Sequence, residues 1–276
     1  MSRMERINEA LSAVYREREE LLSGVTVSRI CCEREDGSQF VACAVTAKPS
    51  AARLISGTAG GGYTRMDSTD YVPEQMRAAM AEGLPVIAGI NAGYFRRKWH
   101  FTPYGLSVQK GVEISPPHSE PRVLVGGGIE LGTLWLGVTL QSQLIFGNEA
   151  DYPRYRGKLA YAIGFSHYLV SQGESCLTAE QGDTGYEPRS AFGLCEDGSM
   201  ILLAIDGRQE GYSTGATNYE TAQILLALGA KTGINLDGGG STHLAVCSAE
   251  GEITTVNRPC ENRKVFDTIL LVSRQT

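Results

Sequence analysis

Hydrophobic residues along the chain fall mainly into short runs bounded by Gly, Pro or Asn. Short apolar runs with turn residues at both ends are typical of β-strands. The turns Glu35–Gly37 and Glu196–Gly198 predict two hairpins. The predicted strands are Val25–Cys31, Phe40–Ala47, Pro85–Ile90, Gly105–Gln109, Arg122–Val125, Leu131–Leu136, Leu140–Phe146, Leu159–Phe165, Ala191–Cys195, Met200–Ile205, Thr232–Leu236, Thr242–Cys247, Ile253–Val256 and Val265–Val272.

Three segments have a helical pattern instead. In residues 1–24, apolar residues such as Ile7 and Leu11 follow helical spacing opposite charged residues, which predicts an amphipathic helix. Packing on its own domain or on a sister subunit of a homo-oligomer is the common use of such a helix, and docking of another partner is the alternative. Pro73–Glu82 and Thr217–Leu228 are also predicted helices, because each begins with a residue that favours the first turn and is followed by Gly.

The length and composition indicate one globular domain. The chain has 276 residues, of which 42% are hydrophobic and 20% are charged, so it can bury a large core. No internal repeat and no linker rich in Pro, Gly and Ser is evident, although residues 166–186 are polar enough to predict a long mobile loop. We predict one domain over 25–276 after the helix in 1–24. Its fold class is mixed α and β, strand-rich, with a central mixed β-sheet and a few packed helices.

The charge and the cysteines limit the partners. A net charge of −6 repels nucleic acid and anionic membranes, so we expect neither as a partner and place any anion site locally. The seven scattered cysteines contain no CxxC pair and are expected to be buried, reduced thiols. Residues 1–22 have no apolar run of the length of a signal peptide or a membrane span, so the expected location is cytoplasmic.

Three segments end a hydrophobic strand with polar residues and glycine. They are Ile90–Phe95, Ile205–Arg208 and Leu236–Thr242. Loops at strand ends collect functional groups on a rigid base. We therefore predict that the three segments converge on one site.

The glycine run at 238–240 has two interpretations. Consecutive glycines can present backbone N–H groups to an anion such as phosphate, or they can form a tight hairpin that needs positive φ. The polar neighbours Asn235, Asp237, Ser241 and Thr242 favour the phosphate site. No GxGxxG or GxxxxGKS motif indicates a dinucleotide or P-loop site.

Charged residues near these segments are further candidates. Thr217 and Glu220 match a capping box, which gives Glu220 a structural explanation, while the same helix start offers N–H groups to a phosphate. Arginine is the natural bidentate ligand of phosphate, and Arg189, Arg208 and Arg263 each stand beside a candidate segment.

No cofactor is predicted. The histidines His100, His118, His167 and His243 have no metal-ligand spacing; His243, next to the glycine run, points either into the site or away from it. Asp206, Asp237 and backbone carbonyl groups are oxygen ligands of the kind that calcium or magnesium prefers, so a divalent cation stays open.

The segments in this order resemble the phosphodiester glycosidase family. The resemblance extends from Val25 to Val272 and implies a mixed α and β domain that hydrolyses a glycosidic bond whose leaving group is a phosphate ester. The chain departs from the family at Cys260–Asn262, where Ser-Asp-Gly is usual, and at His243, which replaces a common apolar residue; both departures bear on substrate choice. The matching stretches are Asn91–Phe95, Tyr104–Leu106, Arg189–Gly193, Asp206–Arg208, Ser213–Glu220, Ile234–Thr242, Asn257–Pro259 and Arg263.

The resemblance implies the roles of individual residues. A phosphate ester leaves readily, so the reaction needs a carboxylate for the developing oxocarbenium ion and cations for the departing phosphate. The hypothesis assigns Asp237 as nucleophile or base, Asp206 as its partner or as a ligand of a sugar hydroxyl, and Arg189 and Arg263 as phosphate ligands. The predicted catalytic residues are Asp237, Asp206 and Glu220, and the predicted substrate-binding residues are Asn91, Tyr94, Arg189, Arg208, Thr217, Asn235, Gly238, Gly239, Gly240, Ser241, Thr242, His243 and Arg263.

The expected substrate is a small sugar phosphodiester or a nucleotide sugar. Two other functions stay open on the sequence alone. One is a non-catalytic protein that sequesters a sugar nucleotide or a phosphorylated glycan in the same pocket. The other is a module of exopolysaccharide assembly that docks through the predicted helix in 1–24.

Overall fold

The computed structural model describes residues 5–7, 11–59, 68–96, 102–117, 124–125, 129–179 and 185–274. The helices are α1 (Val72–Ala81), α2 (Tyr152–Tyr155) and α3 (Asn218–Ala227), and a 3₁₀ turn covers Gly239–Ser241. The strands are β1 (Glu5–Arg6), β2 (Leu11–Leu22), β3 (Val25–Arg34), β4 (Gln39–Ala47), β5 (Ala52–Thr58), β6 (Val86–Asn91), β7 (Phe95–Arg96), β8 (Thr102–Pro103), β9 (Ser107–Gln109), β10 (Val112–Ser115), β11 (Leu124–Val125), β12 (Ile129–Glu130), β13 (Leu134–Thr139), β14 (Leu144–Asn148), β15 (Leu159–Phe165), β16 (Tyr168–Ser171), β17 (Glu174–Ser175), β18 (Arg189–Cys195), β19 (Met200–Ile205), β20 (Ala230–Asn235), β21 (Leu244–Cys247), β22 (Ile253–Thr255) and β23 (Asp267–Ser273).

Three sheets contain most of these strands. The first has nine strands in the order β1-β2-β3-β4-β19-β18-β20-β16-β17, the second has the order β22-β21-β6-β23-β5, and the third has the order β10-β9-β15-β13-β14. Residues from all three sheets, such as Phe192, Leu271 and Leu136, form the largest buried apolar cluster. The core therefore lies where the three sheets meet. Helix α3 covers the other face of the nine-stranded sheet, and α1 covers that of the second sheet.

The strand-rich prediction is confirmed, but the predicted central mixed sheet is not. Every strand pair between described residues is antiparallel. The reason is an inserted strand beneath each long helix: α1 connects β5 to β6 with β23 between them, and α3 connects β19 to β20 with β18 between them. A helical crossover joins strands of the same direction, so a strand inserted between them pairs antiparallel with both.

The two crossovers form a topological repeat that is not evident in the sequence analysis. In both, the strand after the helix ends on Gly-Ile-Asn, at 89–91 and 233–235. A Cβ atom at Gly89 would lie 2.9 Å from Met76 Cγ in α1, and one at Gly233 would lie 2.7 Å from Leu225 Cδ1 in α3. Glycine at these positions lets each helix pack closely on its sheet.

The predicted N-terminal helix is wrong over the described residues. Strand β2 pairs antiparallel with β3 in a hairpin that turns at Gly24, whose φ is +80°. Glu17 lies opposite Arg29, which is a favourable cross-strand charge pair. Pairing with β3 thus overrides the helix propensity of the exposed charged residues 16–20. The domain limits themselves stay a prediction.

The other predicted elements agree with the structure more closely. Both predicted hairpins are confirmed as β3–β4 and β18–β19, and both internal helices as α1 and α3. The predicted mobile loop at 166–186 is wrong in part, because β16 and β17 lie within it and β16 pairs with β20. Residues 180–184, His100, His118 and the first two residues of the predicted strand Arg122–Val125 lie outside the described residues.

No helix among the described residues combines the length and the apolar character needed to cross a membrane.

Candidate active site

Asn91, at the end of β6, ties several predicted site segments together. Its buried side-chain Nδ2 donates a hydrogen bond of 2.5 Å to the carbonyl oxygen of Asp237. Its Oδ1 accepts hydrogen bonds from Ser190 Oγ at 2.8 Å and from the His243 backbone N–H at 3.1 Å. One amide therefore holds both ends of the glycine run against β18.

Asn235, at the end of β20, makes the reciprocal connection. Its Nδ2 donates to Ser166 Oγ at 2.9 Å and to Tyr94 Oη at 3.2 Å, and Tyr94 lies in the loop after β6. The Asp237 backbone N–H donates to the Ala92 carbonyl oxygen at 2.9 Å. Each of the two Gly-Ile-Asn strands thus binds the loop that follows the other, and the structure brings these two segments together as predicted.

Asp237 lies half-buried at this junction, close to Tyr94 and Arg189. Burial raises the pKa of Tyr94 to about 12; the negative charge of Asp237 acts in the same direction, and the positive charge of Arg189 opposes it. Tyr94 is therefore a neutral hydrogen-bonding group at ordinary pH. The Asp237 carboxylate and the Arg189 guanidinium are both close enough to the Tyr94 phenol to act on its pKa.

Arg189 is held at the start of α3. Its Nε donates to the Ala216 carbonyl oxygen at 2.8 Å, its Nη2 donates to the Gly185 carbonyl oxygen at 2.9 Å, and only 8% of the residue is exposed. Thr217 caps the helix by accepting a hydrogen bond from the Glu220 N–H at 3.1 Å. Backbone oxygens thus fix the direction of the Arg189 guanidinium beside the helix N-terminus that was predicted to receive a phosphate.

Asp267 is a carboxylate at the site that the sequence analysis missed. It is 1% exposed, and its Oδ1 accepts a hydrogen bond of 2.9 Å from the Gly93 N–H. Its pKa is raised to about 7, mainly by burial and in part by the negative charge of Asp237, while the hydrogen bond from Gly93 opposes the rise. The available signal was an acidic residue inside the apolar run Val265–Val272.

Three buried polar atoms in the site segments have no hydrogen-bond partner among the described residues. They are Asn235 Oδ1, Thr242 Oγ1 and Asp267 Oδ2. Buried polar groups in proteins are nearly always paired, and each exception calls for an explanation. Each belongs to one of the segments that the hydrogen bonds of Asn91, Asn235 and Asp267 bring together, which makes it a candidate for binding a polar ligand.

Glu220 has a structural role, contrary to the catalytic role predicted for it. Its Oε2 accepts hydrogen bonds from the Thr217 N–H at 2.8 Å and from Arg34 Nη2 at 2.9 Å, and its Oε1 pairs with Arg34 Nε. The side chain of Arg34 also stacks on Phe40 and Tyr186. The capping box together with a nearly buried ion pair occupies the Glu220 carboxylate fully.

Asp206 serves as an anchor, and its predicted roles as partner of Asp237 or as ligand of a sugar hydroxyl stay predictions. It is 1% exposed; Oδ1 accepts from Asn257 Nδ2 and the Arg258 N–H, both at 2.9 Å, and Oδ2 accepts from Tyr212 Oη at 2.9 Å. Burial raises its pKa, and these hydrogen bonds oppose the rise. Asp206 therefore fixes the loop that carries Arg263 toward the glycine run.

The glycine run packs too closely for side chains. A Cβ atom at Gly238 would lie 2.7 Å from the Pro188 carbonyl oxygen, and one at Gly240 would overlap the side chains of Glu261 and Arg263. Gly239 has a φ of +60°. The backbone N–H of Gly239 donates to the Pro188 carbonyl oxygen, and just after the run those of Ser241 and Thr242 donate to the carbonyl oxygens of Gly238 and Gly239. These three N–H groups are therefore not available to an anion, and the predicted anion recognition stays a prediction for Gly238 and Gly240.

Arginine side chains surround the run instead. Arg263 Nη1 lies 3.4 Å from Ser241 Oγ, and Arg263 Nη2 pairs with Glu261 at 2.5 Å. Arg208 Nε pairs with Glu187 at 2.6 Å. The predicted substrate-binding residues Arg208 and Arg263 thus lie at the glycine run, each beside a glutamate.

His243 does not face the site. Its Nε2 lies 2.9 Å from Thr255 Oγ1 on β22, and burial lowers its pKa to about 4. The predicted substrate-binding role of its side chain is therefore wrong, although its backbone N–H binds Asn91. Within the described ranges, no group of three or more His, Cys, Asp or Glu residues is arranged to hold a metal ion.

The raised pKa of Asp267 predicts a specific dependence of stability on pH. Because its folded-state pKa of about 7 lies above the ordinary value of 3.8, its contribution to stability is full below pH 4 and is lost as the pH rises through 7. Asp267→Asn abolishes this titration. The free energy of unfolding of the native protein, measured by urea denaturation relative to Asp267→Asn, should fall between pH 4 and 8 and then level off.

Asp197→Asn is the matched control for that series. Asp197 is exposed, and hydrogen bonds from Ser199 lower its pKa, so it is ionised in both the folded and the unfolded state above pH 4, and its difference series should be flat between pH 4 and 8. A difference for Asp267→Asn that does not change with pH would contradict the assignment of a buried, titrating Asp267.

The structural role of Glu220 predicts a large loss of stability in Glu220→Gln. Removing one partner of a buried ion pair leaves the other charge uncompensated and costs roughly 3–5 kcal/mol. Urea denaturation should show this loss for Glu220→Gln, whereas Glu74→Gln, which breaks an exposed pair with Arg77, should cost less than about 1 kcal/mol. Equal effects of the two substitutions would rule out the structural role.

Comparison with solved structures shows that the fold is shared by several proteins. A hypothetical protein from Synechocystis has a TM-score of 0.62 at 18% identity, over 95% of this chain and 64% of that chain. The zebrafish N-acetylglucosamine-1-phosphodiester alpha-N-acetylglucosaminidase catalytic domain, auto-inhibited by its pro-peptide, has a TM-score of 0.61 at 17% identity, over 95% and 88% of the two chains. A putative exported protein from Burkholderia pseudomallei has a TM-score of 0.59 at 16% identity, over 85% and 74%.

Sequence comparison gives one curated relative and one family. A prophage-derived uncharacterized protein of Bacillus subtilis is 36% identical over 85 residues, which are 30% of this chain and only 12% of that protein. The family model described as phosphodiester glycosidase matches residues 85–272, which include β6, β18 to β21 and the whole glycine run. This chain therefore belongs to the phosphodiester glycosidase family.

Proposed function

We propose that the protein is a hydrolase that cleaves the bond between the anomeric carbon of a sugar and the oxygen of a phosphate ester. Family membership supports a hydrolase of phosphodiester-linked sugars. The observation that carries the proposal is the position of Asp237, half-buried beside Arg189 and Tyr94 where Asn91 and Asn235 join the two loops. The zebrafish protein of the same fold is named for a sugar phosphodiester as its substrate, and we propose the same substrate class here.

The proposed reaction needs few groups. Water adds to the anomeric carbon, the bond from that carbon to the phosphate oxygen breaks, and its electron pair leaves with the phosphate ester. As a base, Asp237 takes the proton of the water; as a nucleophile, it first forms an ester with the anomeric carbon, which water then hydrolyses. Both roles place the Asp237 carboxylate at the anomeric carbon. Because a phosphate ester is a good leaving group, guanidinium cations that hold it can replace a general acid.

Asp267 helps to define the role of Asp237. Two nearby carboxylates disfavour each other's ionisation, and the one in the less polar environment takes up the proton first. Burial puts Asp267 in that position, and its raised pKa makes it the carboxyl group that takes up a proton more readily than an ordinary aspartate. We therefore assign the role at the reacting carbon to Asp237 and not to Asp267.

The polar atoms without partners suit a sugar. Asn235 Oδ1 can accept a hydrogen bond from a sugar hydroxyl group, and Thr242 Oγ1 can donate or accept one. The Tyr94 phenol accepts a hydrogen bond from Asn235, and burial keeps it neutral, so it can also donate one to a sugar oxygen. We assign these three side chains to the sugar and Arg189 to the phosphate.

A labelled-water experiment tests the reaction. The purified protein is incubated in H₂¹⁸O with UDP-N-acetylglucosamine and with a methyl phosphodiester of N-acetylglucosamine, and the products are followed by mass spectrometry. Cleavage at the anomeric carbon puts ¹⁸O into the sugar and none into the phosphate ester. Label in the phosphate would indicate cleavage at phosphorus, and tight binding without products would indicate a sequestering protein; either result overturns the proposal.

The proposed roles predict strong losses of activity on substitution. Asp237→Asn should lower kcat by roughly 10²–10⁴-fold, the usual contribution of a positioned acid or base. Arg189→Ala should lower kcat/KM by roughly 10²-fold or more, because it removes a cation from the departing phosphate. Arg189→Lys, which keeps the charge, should recover part of that loss.

The control variants carry the same kinds of substitution at residues that lie away from the site. Asp197→Asn lies in the turn between β18 and β19, and Arg77→Ala lies on the exposed side of α1. Thermal melting should show that all variants are folded before rates are compared. Near-native hydrolysis by folded Asp237→Asn would exclude Asp237 from the reaction.

A further inference from the structure

The guanidinium groups of Arg208 and Arg263 lie on neighbouring glycines of the run. A Cβ atom at Gly239 would lie 3.3 Å from Arg208 Nη2, and one at Gly240 would overlap Arg263 Nη2. Arg208 has a backbone φ of +59°, which is uncommon for a residue other than glycine. The local backbone therefore brings two guanidinium groups toward one surface of the glycine run.

The carboxylate of Glu261 lies between these two arginines. Its Oε2 is 2.5 Å from Arg263 Nη2, and its Oε1 is 3.6 Å from Arg208 Nη1. A Cβ atom at Gly240 would also overlap this carboxylate, so Glu261 lies directly on the glycine backbone. The Glu261 side chain is 46% exposed, which makes the position accessible to a ligand from solvent.

Glu187 differs from Glu261 although both pair with Arg208. Glu187 Oε2 accepts from Arg208 Nε at 2.6 Å, and no ion pair between Glu187 and Arg263 occurs in the described part of the chain. It therefore orients Arg208 without bridging the two arginines. The bridging position belongs to Glu261.

Two guanidinium groups over a glycine backbone form a good binding position for a phosphate group. Arginine binds the oxygens of carboxylate and phosphate with the same planar pair of donors, so a carboxylate between two arginines stands where a phosphate would be bound. Half-exposed ion pairs are weak, because water screens them and both side chains lose freedom. A phosphate with three oxygens can replace such a carboxylate.

We propose that Glu261 is an internal ligand of a phosphate subsite formed by Arg208 and Arg263, and that a phosphate-bearing ligand displaces it. Naming that ligand as the phosphate ester of the substrate rests on the proposed function, whereas the anion site itself does not. Glu261 competes with every anion that enters, so weakly bound anions are excluded and phosphate groups with further contacts are favoured. It acts as a specificity-determining residue.

Inorganic phosphate tests the subsite without any turnover. Its binding to the native protein, Glu261→Gln, Glu187→Gln and Glu74→Gln is measured by isothermal titration calorimetry at pH 7.5 and constant ionic strength. Glu261→Gln should bind phosphate about fivefold more tightly than the native protein, the upper end of what an exposed ion pair contributes. Glu187→Gln removes a negative charge beside Arg208 but leaves the Glu261 bridge in place, and Glu74→Gln removes a distant negative charge. Both variants should stay within about twofold of the native protein.

Several results would overturn the subsite. One is unchanged or weaker phosphate binding by Glu261→Gln; another is an equal gain in Glu187→Gln, which would point to local charge and not to occupancy. In the Glu261→Gln background, Arg263→Ala should remove the gain; if the gain persists, phosphate binds elsewhere.

The subsite and the proposed hydrolysis can fail separately. If phosphate binding follows the expected pattern and no sugar phosphodiester is cleaved, the subsite stands and the hydrolysis fails. If phosphodiesters are cleaved at the anomeric carbon and Glu261→Gln does not gain phosphate affinity, the hydrolysis stands and the role of Glu261 fails.

Discussion

The reciprocal hydrogen bonding of two buried amides holds the whole site together. Asn91 ends a strand of the five-stranded sheet that contains β6, and Asn235 ends a strand of the nine-stranded sheet. Each donates to the loop that follows the other strand, at Asp237 and at Tyr94. Because a buried amide that loses its partner costs free energy, sliding of one sheet along the other is penalised at this point. The relative position of the two sheets is therefore fixed where the Asp237 carboxylate lies.

This frame separates two kinds of polar group. Near the strand ends, neutral amides and hydroxyls are buried and mostly satisfied, which makes their positions rigid. Around the glycine run, charged side chains are half-exposed and paired with each other. The first kind suits the fixed geometry needed for a reacting sugar, and the second kind suits the capture of an anion that must enter and leave. In a molecule with a net charge of −6, the proposed phosphate subsite depends on the local guanidinium groups of Arg208 and Arg263.

Much of the fold and part of the site follow from sequence, and the failures have physical causes. Short apolar runs with turn residues predict both hairpins, and first-turn residues together with a following glycine predict both long helices, since these signals are local. The strand β2 is missed because its partner β3 supplies the hydrogen bonds that its own charged sequence does not predict. Glu220 resembles a catalytic carboxylate in sequence, but Arg34, nearly two hundred residues earlier, uses it. The spacing of residues along the sequence does not reveal pairings between distant segments. The hydrogen bond between Asn257 and Asp206 is another such pairing.

The repeated tripeptide Gly-Ile-Asn is the signal that sequence reasoning overlooked. Glycine is needed there because a helix packs closely over the strand, and asparagine is needed because each strand ends against the loop of the other. Neither requirement is visible until the two strand–helix–strand crossovers are compared with each other. Once they are, the position of Asp237 follows: it comes two residues after the second asparagine, where the amide of the first asparagine binds its carbonyl oxygen. The carboxylate is thus placed by the interaction that joins the sheets, and a change at either asparagine would move the proposed reacting group together with the core beneath it.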